Sequence, residues 1–150
     1  MKVSLELPIP PSVNHYYGHC YNMQKKKVVV YIKPEGKLYR QKVYFLTANK
    51  VPKINNPLYT AKAVYVIVKF SPASPLRDID NPFKCLFDAI THNHIWHDDR
   101  QVKKMYVEMS EKTSVKNNLE ITITDEIDTF INDVIDRLKS GSTTGRMIIK

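Results

Sequence analysis

The chain has 150 residues, 43% hydrophobic and 25% charged, which suits one globular domain with a real core. No apolar run approaches the roughly 20 residues of a membrane span. Met1 to Glu6 lack a signal-peptide core, and Cys20 and Cys85 form no C-x-x-C. These features exclude a membrane span, an export leader and a disulfide scaffold, and a cytoplasmic protein with no membrane partner is expected.

In chain order, Val3, Leu5, Leu7 and Ile9 alternate with polar residues and predict a strand, which Pro8, Pro10 and Pro11 end. Ser12 to Lys27 reads as a polar, aromatic loop with a Lys25-Lys26-Lys27 run, and Val28 to Ile32 as a short strand. Pro34 to Lys50 predicts a helix with Tyr39, Val43 and Leu46 on one face and Lys37, Arg40 and Lys50 on its exposed side. Val64, Val66, Val68 and Phe70 alternate strongly as a strand, followed by a turn-rich loop from Ser71 to Arg77. Asp80 then serves as N-cap of a helix to about Thr91, with Phe83, Leu86, Phe87 and Ile90 at i, i+3, i+4, i+7. After a loop over residues 92–99, Met105, Val107 and Met109 predict a strand. A hairpin through Lys116-Asn117-Asn118 is expected to join it to a third strand carrying Leu119, Ile121 and Ile123. Glu126 to Lys139 closes as a helix using Ile127, Ile131, Val134, Ile135 and Leu138, with Ser140 to Arg146 as a tail segment.

The net charge of +8 lies wholly in residues 1–53, which hold ten Lys/Arg against two Asp/Glu, while 54–125 and 126–150 are each neutral. Such a concentration suits a polyanion, whose counterions are released on binding. A solvated basic surface is the plainer alternative.

The chemistry concentrates in Arg77-Asp78-Ile79-Asp80-Asn81-Pro82-Phe83-Lys84 and Ile95-Trp96-His97-Asp98-Asp99. Hard divalent cations take oxygen ligands and keep several waters, so convergent carboxylates are the usual protein contribution. Helical spacing puts Asp80, Lys84 and Asp88 on one polar face, with Asp78 at its mouth. A strand starting near Val102 would return Asp98 and Asp99 to the same place. Such a site supports metal-assisted attack on a phosphodiester, with Lys84 offsetting the carboxylates or meeting the phosphate. The same spacing admits a plainer reading, in which Asp80 caps a helix, Asp88 pairs with Lys84, and Asp98-Asp99 forms a turn. His92, His94 and His97 invite a transition-metal reading, but neither cysteine completes a zinc grammar, and a polar loop accounts for them.

These residues resemble the RusA family of Holliday junction resolvases. The resemblance runs from Leu7-Pro8-Ile9-Pro10-Pro11-Ser12-Val13-Asn14-His15-Tyr16-Tyr17 through Glu35-Gly36-Lys37-Leu38-Tyr39-Arg40. It is most specific in Arg77-Asp78-Ile79-Asp80-Asn81, Lys84, Phe87-Asp88-Ala89-Ile90 and Trp96-His97-Asp98-Asp99-Arg100-Gln101-Val102. It implies an α/β (α+β) domain over residues 1–125, a small mixed β-sheet with two to three packing helices, while the C-terminal helical extension and tail over 126–150 run past the family's usual end. It further implies a homodimer and Mg²⁺-dependent cutting of four-way DNA junctions by paired nicks. Carried across, Asp78, Asp80 and Asp99 become metal ligands and catalytic groups, Lys84 the assisting lysine, and Asp98 a second-ranked ligand. Only Arg77 remains where family members often carry several arginines, so the N-terminal lysines become the expected junction contacts. Asn14, Tyr16, Lys25, Lys26, Lys27 and Arg77 are the DNA-binding candidates, although tyrosines in this segment serve equally well as core. A less selective nuclease on branched or flap DNA, or a non-catalytic DNA-binding module, are the alternatives.

Overall fold

The computed structural model describes residues 1–74, 81–110 and 114–140. Strands β1 (Lys2–Pro8), β4 (Val64–Ser71), β5 (Val102–Met109) and β6 (Asn118–Thr124) form one sheet in the order β1-β6-β4-β5. Strands β2 (Tyr17–Asn22) and β3 (Lys27–Ile32) pair separately as an antiparallel ribbon. Between them run helices α1 (Val13–Tyr16), α2 (Pro34–Thr47), α3 (Pro57–Thr60), α4 (Asn81–His92) and α5 (Ile127–Lys139), with a 3₁₀ turn at Asp99–Gln101. The fold is α+β, as expected.

Alternation sets the register of the sheet. Leu5 pairs with Ile121, Ile121 with Val68, and Val68 with Val107, so one apolar row crosses all four strands on a single face. A one-residue slip would turn that whole row to the other side, which is why the register is strongly specified. Three pairings of the sheet differ in kind: β1–β6 and β6–β4 are antiparallel, and β4–β5 is parallel with a register shift between Val64 and Tyr65. The parallel step needs a crossover, and α4 supplies it.

The front face carries the main core. Helices α1, α2 and α4 cover it, with Tyr16, Val43, Leu86, Ile90 and Trp96 fully buried among the strand residues. Each such side chain contributes about 1.5–3 kcal/mol through burial. Gly36 lets α2 approach α1 closely, since a Cβ there would sit 2.8 Å from the Tyr16 carbonyl oxygen. The back face holds a small second cluster of Ile67, Tyr106 and Phe130 beneath α5.

Several expectations are corrected. The hairpin between the second and third strands does not form, because β6 inserts between β1 and β4 and leaves β5 on the edge. The expected loop from Ser12 to Lys27 contains α1 and β2, whose Gly18, His19 and Cys20 lack strand alternation and are held by pairing with β3. Helix α2 ends at Thr47, and its buried face is Gly36, Tyr39, Val43 and Thr47, leaving Leu46 exposed. In α5 the buried anchor is Phe130, and Ile127, Ile131, Ile135 and Leu138 remain substantially exposed. The expected cap Asp80, the Arg77 loop end and most of the tail segment lie outside the described residues. Among the described residues, no helix is long and apolar enough to cross a membrane.

Candidate active site

Helix α4 is positioned by aromatic packing. Phe70 of β4, Phe83, Phe87 and Trp96 form a chain of rings with successive centroids 5.5, 5.8 and 5.1 Å apart. Trp96 is fully buried, and its Nε1 donates to Thr91 Oγ1 at 2.6 Å. This ladder fixes the segment that leads into Asp98 and Asp99.

Gln101 then pins the acidic turn. Its Oε1 accepts from the backbone N–H groups of His97 and Asp98 at 2.8 and 2.9 Å, and its Nε2 donates to the Leu58 and Ala61 carbonyls. Asp98 completes a capping box, accepting from the Arg100 backbone N–H at 2.8 Å and pairing with the Arg100 guanidinium at 2.9 Å. Those Arg100 hydrogen bonds hold the Asp98 carboxyl well below the usual carboxylate range. Asp99 is different. Its side chain is exposed in the first turn of the 3₁₀ segment and enters no ion pair among the described residues. Of the two acids, Asp98 is the one committed to the turn.

Lys84 is exposed in the first turn of α4, with its Nζ 5.0 Å from the centre of the Tyr17 ring. The Tyr17 hydroxyl is pushed up to about 12, chiefly by burial, with the charges of Asp88, Cys85 and Asp99 adding to it. Tyr17 therefore stays neutral and lies within electrostatic reach of Asp99 while touching Lys84.

Asp88 does not pair with Lys84. Arg40 of α2 donates to Asp88 Oδ2 from Nε at 2.9 Å and from Nη2 at 2.7 Å, and the Tyr16 hydroxyl donates to the same oxygen. Arg40 Nε also reaches the Tyr16 hydroxyl at 3.0 Å. Burial opposes the charge on Arg40, but its hydrogen bonds to Asp88 and Tyr16 outweigh that and leave its pKa raised. Arg40 thus turns inward, contrary to its expected place on the exposed side of α2. The trio clamps α1, α2 and α4 together behind Tyr17, whose ring lies 4.7 Å from that of Tyr16.

The remaining candidates separate clearly. Asn14 is exposed, and Lys25, Lys26 and Lys27 sit exposed at the tip of the β2–β3 ribbon. Tyr16 is fully buried and its hydroxyl is engaged by Asp88, so it is scaffold and presents no surface to DNA. His97 Nδ1 shares a hydrogen bond with the Tyr59 hydroxyl at 3.0 Å, and His94 meets the same ring edge-on. Among the described residues, no group of three or more His, Cys, Asp or Glu is arranged to hold a metal. Asp78 and Asp80, the expected ligands of the D-x-D, and Arg77 lie outside the described residues.

The family model for endodeoxyribonuclease RusA matches residues 8–124. The chain belongs to the endodeoxyribonuclease RusA family. Crossover junction endodeoxyribonuclease RusA of Shigella sonnei (strain Ss046) is 34% identical over 123 residues, covering 81% of this chain and 93% of that protein. The protein of the same name from Escherichia coli (strain K12) is 33% identical over the same shares. That of Enterobacteria phage 82 is 33% identical over 122 residues, 81% of this chain and 92% of the phage protein. The family-model match runs from Pro8, the last residue of β1, to the end of β6, so α5 lies beyond it.

Proposed function

We propose that this chain is a crossover junction endodeoxyribonuclease that cuts four-way DNA junctions by paired symmetric nicks. A homodimer would supply two sites related by a two-fold axis, which matches a substrate needing two symmetric cuts. The observation that carries the reading is the exposed Asp99 carboxylate on a pinned turn, which enters no ion pair among the described residues, with Lys84 held against Tyr17 in the first turn of α4.

The donor set fits a hard divalent cation, Mg²⁺, through Asp99 together with Asp78 and Asp80 of the D-x-D. Such an ion, when bound, activates water and stabilises charge on the phosphoryl oxygens. Lys84 would place its ammonium against the phosphate as negative charge grows there. Asp98 and Gln101 keep the Asp99 backbone in place, and Arg40, Asp88 and Tyr16 keep Tyr17 behind the lysine. The exposed lysines of the β2–β3 ribbon would contact phosphates without reading sequence.

The test is incubation of the purified chain with a synthetic four-way junction, with and without Mg²⁺, mapping nicks on each strand. Symmetric nicks that require Mg²⁺ are expected. Asp80→Asn should bind the junction and fail to cut it. Cutting by that variant, or equal cutting of linear duplex, would overturn the reading.

A further inference from the structure

A groove runs from Tyr59 and His94 to the start of α2. It consists of two adjoining cavities of about 670 and 740 Å³ that share Tyr44, His92 and Asn93. The first has Tyr59 and His94 on one wall, Tyr44 and Lys53 on the other, and Val51 and Ile95 beneath. The second continues past Lys37 and Arg40 to Pro34.

Its chemistry is distinctive in two respects. Neither cavity is lined by any carboxylate among the described residues; Lys37 and Lys53 line them, beside Arg40, whose charge is matched by Asp88. Two further depressions, on the back of the sheet and at the end of β6, are lined by acids such as Glu120, Asp133 and Glu6. The groove also carries aromatic rings along its length. Tyr59 is braced by His94 and His97 with ring centroids 6.1 and 5.2 Å away, and Lys53 Nζ lies 4.0 Å from the centre of the Tyr44 ring. A lysine resting on an exposed ring is weakly held and turns readily to an anion. Burial, followed by the Arg40 charge, lowers the pKa of His92, which keeps its ring neutral and able both to donate and to accept.

A positive groove set with aromatic faces matches the way proteins hold single strands, with phosphates along the cations and bases against the rings. A duplex hides its base faces in its own stack, so only an unpaired base can use them. His97, which braces Tyr59, directly precedes Asp98 and Asp99, so the end of the groove that carries Tyr59 adjoins the segment leading into the acidic turn.

We propose that this groove holds an unpaired stretch of DNA strand beside the cut, stacking its bases on Tyr59 and Tyr44 while Lys53 and Lys37 meet its phosphates. The proposal rests on the junction-cutting reading, since a branch point is where pairing is interrupted.

The experiment measures binding by fluorescence anisotropy at fixed salt without divalent ion. The probes are a labelled oligothymidylate and an abasic oligomer with the same number of phosphates. The full chain is expected to bind the base-bearing strand roughly ten-fold more tightly. Tyr59→Leu and Tyr44→Leu should each erode that preference, and Tyr59→Phe and Tyr44→Phe, which keep the rings, should preserve it. Equal affinity of the wild-type chain for both probes overturns the proposal even if the leucine variants fail to fold. A preference that survives both leucine substitutions overturns it as well. Nicking of four-way junctions by the same preparation keeps the two readings apart. Symmetric nicking without base preference removes the groove alone, and base preference without nicking removes the junction reading alone.

Discussion

The two faces of the four-stranded sheet are built differently. On the front, β1, β4, β5 and β6 present an unbroken apolar surface to α1, α2 and α4, and the ring ladder from Phe70 to Trp96 reaches the acidic turn. On the back, α5 packs Phe130 and Val134 against Ile67, Tyr106 and Tyr65, and polar contacts fasten it further. Arg137 reaches Glu108 and Glu120 at 3.4 Å, and Lys2 pairs with Asp133 at 2.6 Å. The RusA match stops at residue 124, before α5 begins. The deep face thus carries the packing that leads into the acidic turn, and the thin face carries α5.

Core truncations on the two faces should show this most strongly. Phe70→Ala is expected to cost about 4–5 kcal/mol by urea unfolding, because a fully buried ring is removed from a core that cannot close around the gap. Phe130→Ala should cost about 3 kcal/mol, at the lower end for such a change, because its cluster is small and can relax. Junction cutting by folded Phe130→Ala protein should match that of the parent. Loss of cutting in the folded Phe130 variant would break the comparison.

The clamp behind Tyr17 gives a smaller, sharper effect. Arg40→Gln removes two charge-assisted hydrogen bonds to Asp88 and should lower stability by about 1.5–3 kcal/mol. Asp88→Asn should add little on top of Arg40→Gln, since the two share one interaction; a double-mutant cycle in urea measures this. Full additivity would show that the pair does not act as one unit.

The smallest effect is on pH dependence. The folded state holds the His92 pKa below its ordinary 6.5, mainly through burial and then through Arg40. The unfolded chain therefore takes up a proton more readily, so this contribution is complete above pH 6.5 and is lost as pH falls below it. Urea midpoints taken from pH 7.5 down to 5.5 should decline less steeply in His92→Gln than in the parent. An unchanged slope would separate His92 from the clamp.

Much of the fold was legible in residue pattern because the patterns were local. Alternation in β1, β4 and β6 and the i, i+3, i+4, i+7 stripe of α4 each report one buried face. Pairing order is not local: nothing in residues 102–124 says that β6 will enter between β1 and β4, so a hairpin was the natural expectation. The ribbon strand β2 was hidden because its residues take their conformation from β3. In the candidate site, spacing made the turn around Asp98 and Asp99 legible, while the preference for Asp99 over Asp98 came only from the family resemblance. The Arg40–Asp88–Tyr16 clamp was not legible, since it joins residues 24 to 72 positions apart and no helical period connects them. Helix α5 shows the converse, where a clear apolar stripe exists but most of it faces away from the sheet.

The central claim is that Asp99, rather than its neighbour, supplies oxygen to the metal that drives cutting. The direct measurement is the single-turnover rate of nicking on a synthetic four-way junction in Mg²⁺, for Asp99→Asn and Asp98→Asn beside the parent. Asp99→Asn should bind the junction normally and cut at least about 100-fold more slowly. Asp98→Asn should lose far less, since asparagine caps a helix about as well as aspartate and the change removes chiefly the exposed ion pair with Arg100. Parent-like cutting by Asp99→Asn, or the reverse ranking of the two variants, would contradict the account.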